Sequence, residues 1–435
     1  MIPDFLDIKT CRTVEDKAEK FRFIIILLFT FSLPYSITYS SILLILLTLL
    51  TILEFKFRKL EKIPKEVGFF LLIYLLGVLG YFYSFHKAEA GFLLERQLAL
   101  LIFPVLIPFA ITIDKRKVEL VLQTLAISSS IAMVFLFFNL FLTIKMQIRL
   151  PLVNTVFSGA FFNHQFSKPL AIHAGYLSLY VSLSIIYLVQ SFNANKSIKV
   201  KMLLVCGLLV LFLGLFFLAS RNSVISTFFI LLVVYPLLLV KKKTWYLLFS
   251  LILLVISFLA ANRIPYLKER FSNELISDIR PLSDGTYLNY SSAEPRIERW
   301  KGALELVKKS PIFGYGTGDE VAMLKTEYIK RDLFISYMEE FNSHNQYLSY
   351  LLKNGMFGLI VFLFAFGYYC YLAIKCRDFV YFSFLLLLLI GFYTENILDA
   401  NKGILFFALF NTLFGYNAIK SKASSSEINQ TITQS

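Results

Sequence analysis

Charge is scarce in this chain of 435 residues: Asp, Glu, Lys and Arg together make up 17%, against about 25% in an ordinary soluble domain. Cysteine and histidine occur four times each and tryptophan twice. The cysteines (Cys11, Cys206, Cys370, Cys376) fall at no metal-ligand spacing and read as free thiols. The histidines (His86, His164, His173, His344) also lack such spacing, and no Asp-x-Asp occurs, so a divalent metal at a sugar-phosphate site finds no support. The first 22 residues are charged and lack an apolar core, so no cleavable signal peptide is expected.

What is abundant is apolar sequence: 57% hydrophobic residues, including 46 Phe and 24 Tyr. No single soluble core of this length hides that much, and disorder, a collagenous fibre and a disulfide scaffold are excluded. The expected class is an all-α polytopic integral membrane protein. Stretches suited to membrane helices of about 20 residues lie at 21–34, 37–55, 67–83, 97–113, 118–143, 170–190, 200–219, 222–240, 244–261, 345–374, 379–394 and 403–419. That predicts twelve spans, with Pro34 breaking 23–55 into two.

Basic residues orient the spans. The formal charge of +14 sits in short loops between apolar runs, which is the positive-inside pattern and not a nucleic-acid groove. With a cytoplasmic N-terminus, the inside segments hold 23 Lys and Arg and the short outside loops hold 7. Both termini are therefore expected in the cytoplasm. The organisation predicted is nine spans with short loops over 1–261, one large periplasmic loop over 262–343, three spans over 344–420 and a disordered tail over 421–435. The large loop carries 12 basic and 13 acidic residues, and all four histidines map to the outer side.

Five places on that side could carry chemistry. Arg221, in Ala219-Ser220-Arg221-Asn222, sits between two apolar runs, where an arginine either snorkels to headgroups or holds an anion. In Glu294-Pro295-Arg296-Ile297-Glu298-Arg299-Trp300, Pro295 suits a first helical turn, and Ile297, Trp300, Leu304 and Val307 form an apolar stripe. The amphipathic helix this predicts ends at Ser310-Pro311. It sets Arg296 and Trp300 on one face, although a tryptophan that only anchors at the interface fits as well. Gly314-Tyr315-Gly316-Thr317-Gly318 has no preceding strand and no following Lys-Ser/Thr, so a tight turn with positive φ is expected in place of a phosphate loop. Ser343 and Gln346 fit a capping box that puts His344 in the first turn of a membrane helix. There the positive helix end disfavours imidazolium and leaves a proton acceptor, unless His344 is only a hydrogen-bonded interface residue. His164 and His173 form a fifth, weaker locus.

In this order, the features resemble the O-antigen ligase and polymerase superfamily of bacterial envelope glycosyltransferases, whose architecture is GT-C-like. The resemblance rests on Ser220-Arg221 before a span, Arg296-x-x-x-Trp300, Pro311 with the Gly314-x-Gly316 turn, and His344-Asn345 leading to Tyr347-Leu348 and Gly355/Gly358. It implies transfer of a glycan from an undecaprenyl-pyrophosphate carrier to an acceptor hydroxyl on the periplasmic face of the bacterial inner membrane. No metal or cofactor is implied. Arg221 and Arg296 would take the growing charge of the leaving pyrophosphate, since the guanidinium fork bonds two oxygens and stays ionised. His344 would be the general base. Arg299, Trp300, Asn345, His173 and Tyr347 would bind substrate.

The layout favours ligation of O-antigen to lipid A–core over an O-antigen polymerase or a protein O-oligosaccharyltransferase. Membrane lipids are expected partners, and nucleic acid is not. A transporter or flippase would show internal repeats or ionisable groups at mid-membrane, and the two halves of this chain are not alike. A non-catalytic scaffold would tolerate replacement of His344 and both arginines.

Overall fold

A computed structural model describes residues 14–54, 65–147, 161–240 and 294–434, with scattered positions between 244 and 276. Among the described residues every regular element is helical. The first half comprises α1 (Val14–Ser32), α2 (Ile37–Glu54), α3 (Val67–Tyr83), α4 (Lys87–Gln97), α5 (Ala99–Ala110), α6 (Lys115–Gln147), α7 (Ala174–Ala194), α8 (Ile198–Leu218) and α9 (Arg221–Phe229). A π-turn at Ile230–Val234 carries α9 on to Leu239. The second half comprises α10 (Arg296–Lys309), α11 (Glu320–Lys330), α12 (Phe334–Met338), α13 (Gln346–Lys375), α14 (Phe379–Gly391) and α15 (Asn401–Gln434).

Among the described residues, six helices are long and apolar enough to cross a membrane: Lys87–Ala110, Lys115–Lys145, Ala174–Ala194, Ile198–Leu218, Arg221–Leu239 and Gln346–Lys375. Ile37–Leu53, Val67–Tyr83 and Phe379–Gly391 are apolar but shorter. The large exposed side chains on these helices are hydrocarbon, such as Leu203 at 73% and Leu209 at 66%. Water would penalise such a surface and lipid does not. This is a multi-pass membrane protein.

Pro34 does fall in the turn between α1 and α2. The expected span 97–113 is helical at Gln97 and over Ala99–Ala110, with a turn at Leu98 between them that joins it to α4, and the helix ends at Ala110. The expected span 244–261 and the first part of the large loop lie mostly outside the described residues. The last helix does not stop at Lys420 but continues to Gln434. No Gly or Pro interrupts the polar stretch from Ser421 onward, so nothing in it breaks a helix already nucleated on the apolar run.

Helix α7 is the centre of the bundle, with 67% of its apolar window buried. Ser178, Ser182 and Ser184 on it are buried and small, which lets neighbouring helices approach closely. Over one end of the bundle, α10 and α11 pack through Ala303, Leu306, Leu324, Tyr328 and Leu333, and Leu352 of α13 joins their cluster.

The glycine-rich turn is what fastens that cap. Gly314 and Gly316 have φ of 68° and 113°, as a tight turn requires. Gly355 breaks α13 with φ 64° and ψ −160°, and the turn takes up the backbone groups this frees. Tyr315 and Gly316 donate to the Leu352 and Lys353 carbonyls at 2.8 and 2.9 Å, while Met356 and Phe357 donate to Pro311 and Ile312 at 2.8 and 3.2 Å. A broken membrane helix needs such substitutes, because lipid offers no hydrogen bonds. Asp319 ties the same turn to α4 by accepting from the amides of Phe85 and His86 at 2.8 and 3.0 Å.

A Cβ at Gly355 would lie 2.2 Å from the Ile312 carbonyl oxygen. Gly355→Ala is therefore expected to lose at least about 1–3 kcal/mol from backbone strain alone. Thermal unfolding in detergent should show a clear drop, while Gly91→Ala, in open helix surface, stays level or rises slightly.

Candidate functional site

The site forms where several helices begin at one end of the bundle, around the segment that follows α14. Asn222, in the first turn of α9, donates to the Ile390 carbonyl at 3.0 Å and to Thr394 Oγ1 at 2.7 Å. The first amide of α13, Gln346 N, donates to the Phe392 carbonyl at 2.8 Å. Asn345 N donates to Asn396 Oδ1 at 2.8 Å. Helix N-termini carry positive potential, so the place where they converge favours an anion.

His344 does not sit where the capping-box reading put it. It lies before the helix, in left-handed backbone with φ 43°, and α13 starts at Gln346 under an Asn345 cap. Asn345 Oδ1 accepts from Tyr347 N at 3.0 Å and Leu348 N at 3.1 Å, which serves two of the orphan amides at once. Ser343 is taken instead by Glu320, at 2.7 Å from its hydroxyl and 3.1 Å from its amide. Gln346 Oε1 accepts from Leu398 N at 2.8 Å. Freed from the helix, the imidazole packs edge-on to Phe341, and its Nδ1 stands 3.5 Å from Glu395 Oε2.

Glu395 is the residue that His344 contacts and that the charges of His173 and Arg296 influence. Burial pushes its carboxyl up, but the His344 contact and the charges of His344, His173 and Arg296 outweigh this and hold it below the ordinary carboxylate range. His173 caps α7, its Nδ1 accepting from Gly175 N at 3.2 Å. The His164 ring lies 4.1 Å away. Arg221 is the first residue of α9, next to the Asn222 that grips the segment leading to Glu395. The start of α9 thus lies against the segment that leads to Glu395, and the Arg296 charge acts on that carboxylate.

The other substrate-binding candidates have structural partners. Arg299 is only 5% exposed and lies over the Phe341 ring at 5.1 Å. Trp300 donates from Nε1 to the Ser343 carbonyl at 3.0 Å and packs edge-on to Tyr393 at 5.1 Å. The Tyr347 hydroxyl donates to Leu389 O at 2.7 Å, and Asn345 is the buried cap. Trp300 and Asn345 thus hold the backbone on either side of His344, and the charges of His173 and Arg296 act on Glu395.

Beneath the site is a buried network that sequence reasoning missed. Lys353 pairs with Asp399 at 2.6 Å and Glu320 at 3.1 Å. Ser349 donates to Glu320 at 2.5 Å, and Asn396 donates to Asp399 at 3.1 Å. The one signal available was the crowding of Glu395, Asn396, Asp399 and Lys402 between two apolar runs.

Residues 206–363 match the model of the family described as O-Antigen ligase. The match contains Arg221, Arg296 and His344 and ends before Glu395. No curated protein matches the chain.

Proposed function

We propose, from the premise that this chain carries a domain of the O-antigen ligase and polymerase superfamily, a glycosyltransferase of ligase or polymerase type, that it moves a glycan from undecaprenyl pyrophosphate to an acceptor hydroxyl on the periplasmic face. The contact of His344 Nδ1 with Glu395 at 3.5 Å, a carboxylate whose pKa is held down by the charges around it, carries this reading. It joins a base to an ionised carboxylate at an end of the bundle where helix N-termini favour anions.

In the mechanism, Glu395 accepts a hydrogen bond from the Nδ1–H of His344, which keeps its own proton and so turns its Nε2 lone pair to the acceptor. Nε2 takes the hydroxyl proton as the oxygen attacks the anomeric carbon. The bond from that carbon to the pyrophosphate oxygen breaks with inversion, and undecaprenyl pyrophosphate leaves with one more negative charge. Arg296 and Arg221 bind that charge more strongly than the ground state, which is the condition for acceleration. The step runs without a metal. His173 Nε2 is a further donor to the same oxygens.

Within the superfamily, the preferred activity is ligation of O-antigen to lipid A–core in the inner membrane. Deleting the gene and extracting both lipopolysaccharide and carrier-linked glycans tests it. Core without O-chain, together with long polymer on the carrier, is the expected result. Core capped by single repeats, with no long polymer, would instead mean a polymerase. Normal lipopolysaccharide with lost glycoproteins would mean a protein-directed transferase.

A further inference from the structure

Lys402 has no part in this mechanism, and its position is costly. It lies in the first turn of α15 and is 9% exposed. Its ammonium donates to the Ala171 carbonyl at 3.1 Å, and among the described residues no carboxylate pairs with it. Asp399, three residues earlier, is committed to Lys353 at 2.6 Å. A buried ammonium without a counter-ion opposes folding, and the positive end of its own helix adds to the penalty. A methionine would fill the same space without that penalty.

The surroundings suggest what offsets it. Ala171, itself in left-handed backbone with φ 50°, is two residues from His173, which acts on Glu395. The Tyr180 hydroxyl donates to the Lys402 carbonyl at 2.9 Å, which fixes the main chain and leaves the side chain to move. A four-carbon stem lets the ammonium leave one backbone carbonyl for a doubly charged oxygen cluster beside the His173 turn. Charge-assisted bonds of that kind are about twice as strong as neutral ones.

We propose that Lys402 is a further anion-binding residue of this site, taking a phosphoryl group of the lipid-linked donor in exchange for the Ala171 carbonyl. The assignment of the anion to the donor rests on the glycosyl-transfer reading. The shared chemistry is a phosphoryl group on an amphipathic lipid, which lipid A also carries.

The test uses the full chain in nanodiscs, as wild type, Lys402→Met and Lys402→Arg, with inorganic pyrophosphate, undecaprenyl phosphate and lipid A as probes. Lys402→Met is expected to weaken pyrophosphate and undecaprenyl phosphate binding by about tenfold or more. It should also unfold at the same temperature or a higher one, and Lys402→Arg should restore most of the affinity. Loss of stability with unchanged binding would overturn the proposal, leaving the lysine as a strut for Ala171. A loss confined to lipid A would overturn the donor assignment. Transfer by wild type with binding indifferent to residue 402 sinks this inference alone. Binding that depends on residue 402 in a protein that transfers no glycan sinks the functional reading alone.

Discussion

His344→Ala is expected to lower glycan transfer by about 10²–10⁴ in rate, the usual worth of a positioned general base, while the protein stays folded. The imidazole is 27% exposed and its polar contact is with Glu395, so its removal empties little of the interior. Glu395→Gln keeps the volume and the Asn396 side of the loop but loses the charge that orients the ring. Its own loss should be smaller. The sharper expectation concerns the pair: if Glu395 acts through His344, the double variant is no slower than His344→Ala alone. Initial rates with a carrier-linked glycan and a core acceptor, measured for all four proteins, decide this. Losses that multiply would mean that Glu395 touches substrate in its own right. Full activity in His344→Ala would remove the proposed base altogether.

The sequence displayed the helices far better than the site, for a physical reason. Apolar runs such as Val67–Tyr83 declare themselves by length, and the observed helix has the bounds expected of the span. Gly314 and Gly316 declared a tight turn by residue type. Their purpose lay in Gly355, about forty residues on, whose break in α13 leaves backbone groups that only a second segment can satisfy. His344 was legible as a candidate, but its place was misread by two residues. Ser343 and Asn345 can each cap a helix, and what decided between them was Glu320, bound to Ser343 from another helix. Glu395 and Lys402 showed only as part of a polar cluster between two apolar runs, for the same reason. A charge in a short loop looks solvated until the packing of α7, α9, α13 and α15 closes around it.

That packing rests on the charge cluster below the site, which gives the largest expected effect on stability. Lys353→Met strips the cation from between Glu320, 4% exposed, and Asp399, 13% exposed. Breaking a buried pair by removing one partner costs about 3–5 kcal/mol, and here two carboxylates lose the same partner. In the native protein, burial pushes the Glu320 carboxyl up. The Lys353 charge, with hydrogen bonds from Ser349 and Ser343, overrides this and holds it below the ordinary range. A depressed carboxylate contributes stability above its unfolded pKa, and that contribution is lost as pH falls through the folded value. The native protein should therefore weaken on acidification.

In the variant the sign reverses. With the lysine gone, burial is opposed only by the hydrogen bonds, the folded pKa of Glu320 rises, and stability is lost as pH rises through it. Thermal unfolding followed from pH 7 to pH 5 should show the gap between Lys353→Met and native protein narrowing as the medium is acidified. A gap that stays constant would assign the loss to packing and not to stranded charge. The triple variant Lys353→Met, Glu320→Gln, Asp399→Asn separates the two further, because removing the whole cluster avoids the unpaired carboxylates. It should recover much of the stability at pH 7. Transfer activity should recover less, since Glu320 also holds the Ser343 amide and hydroxyl that set the turn carrying His344.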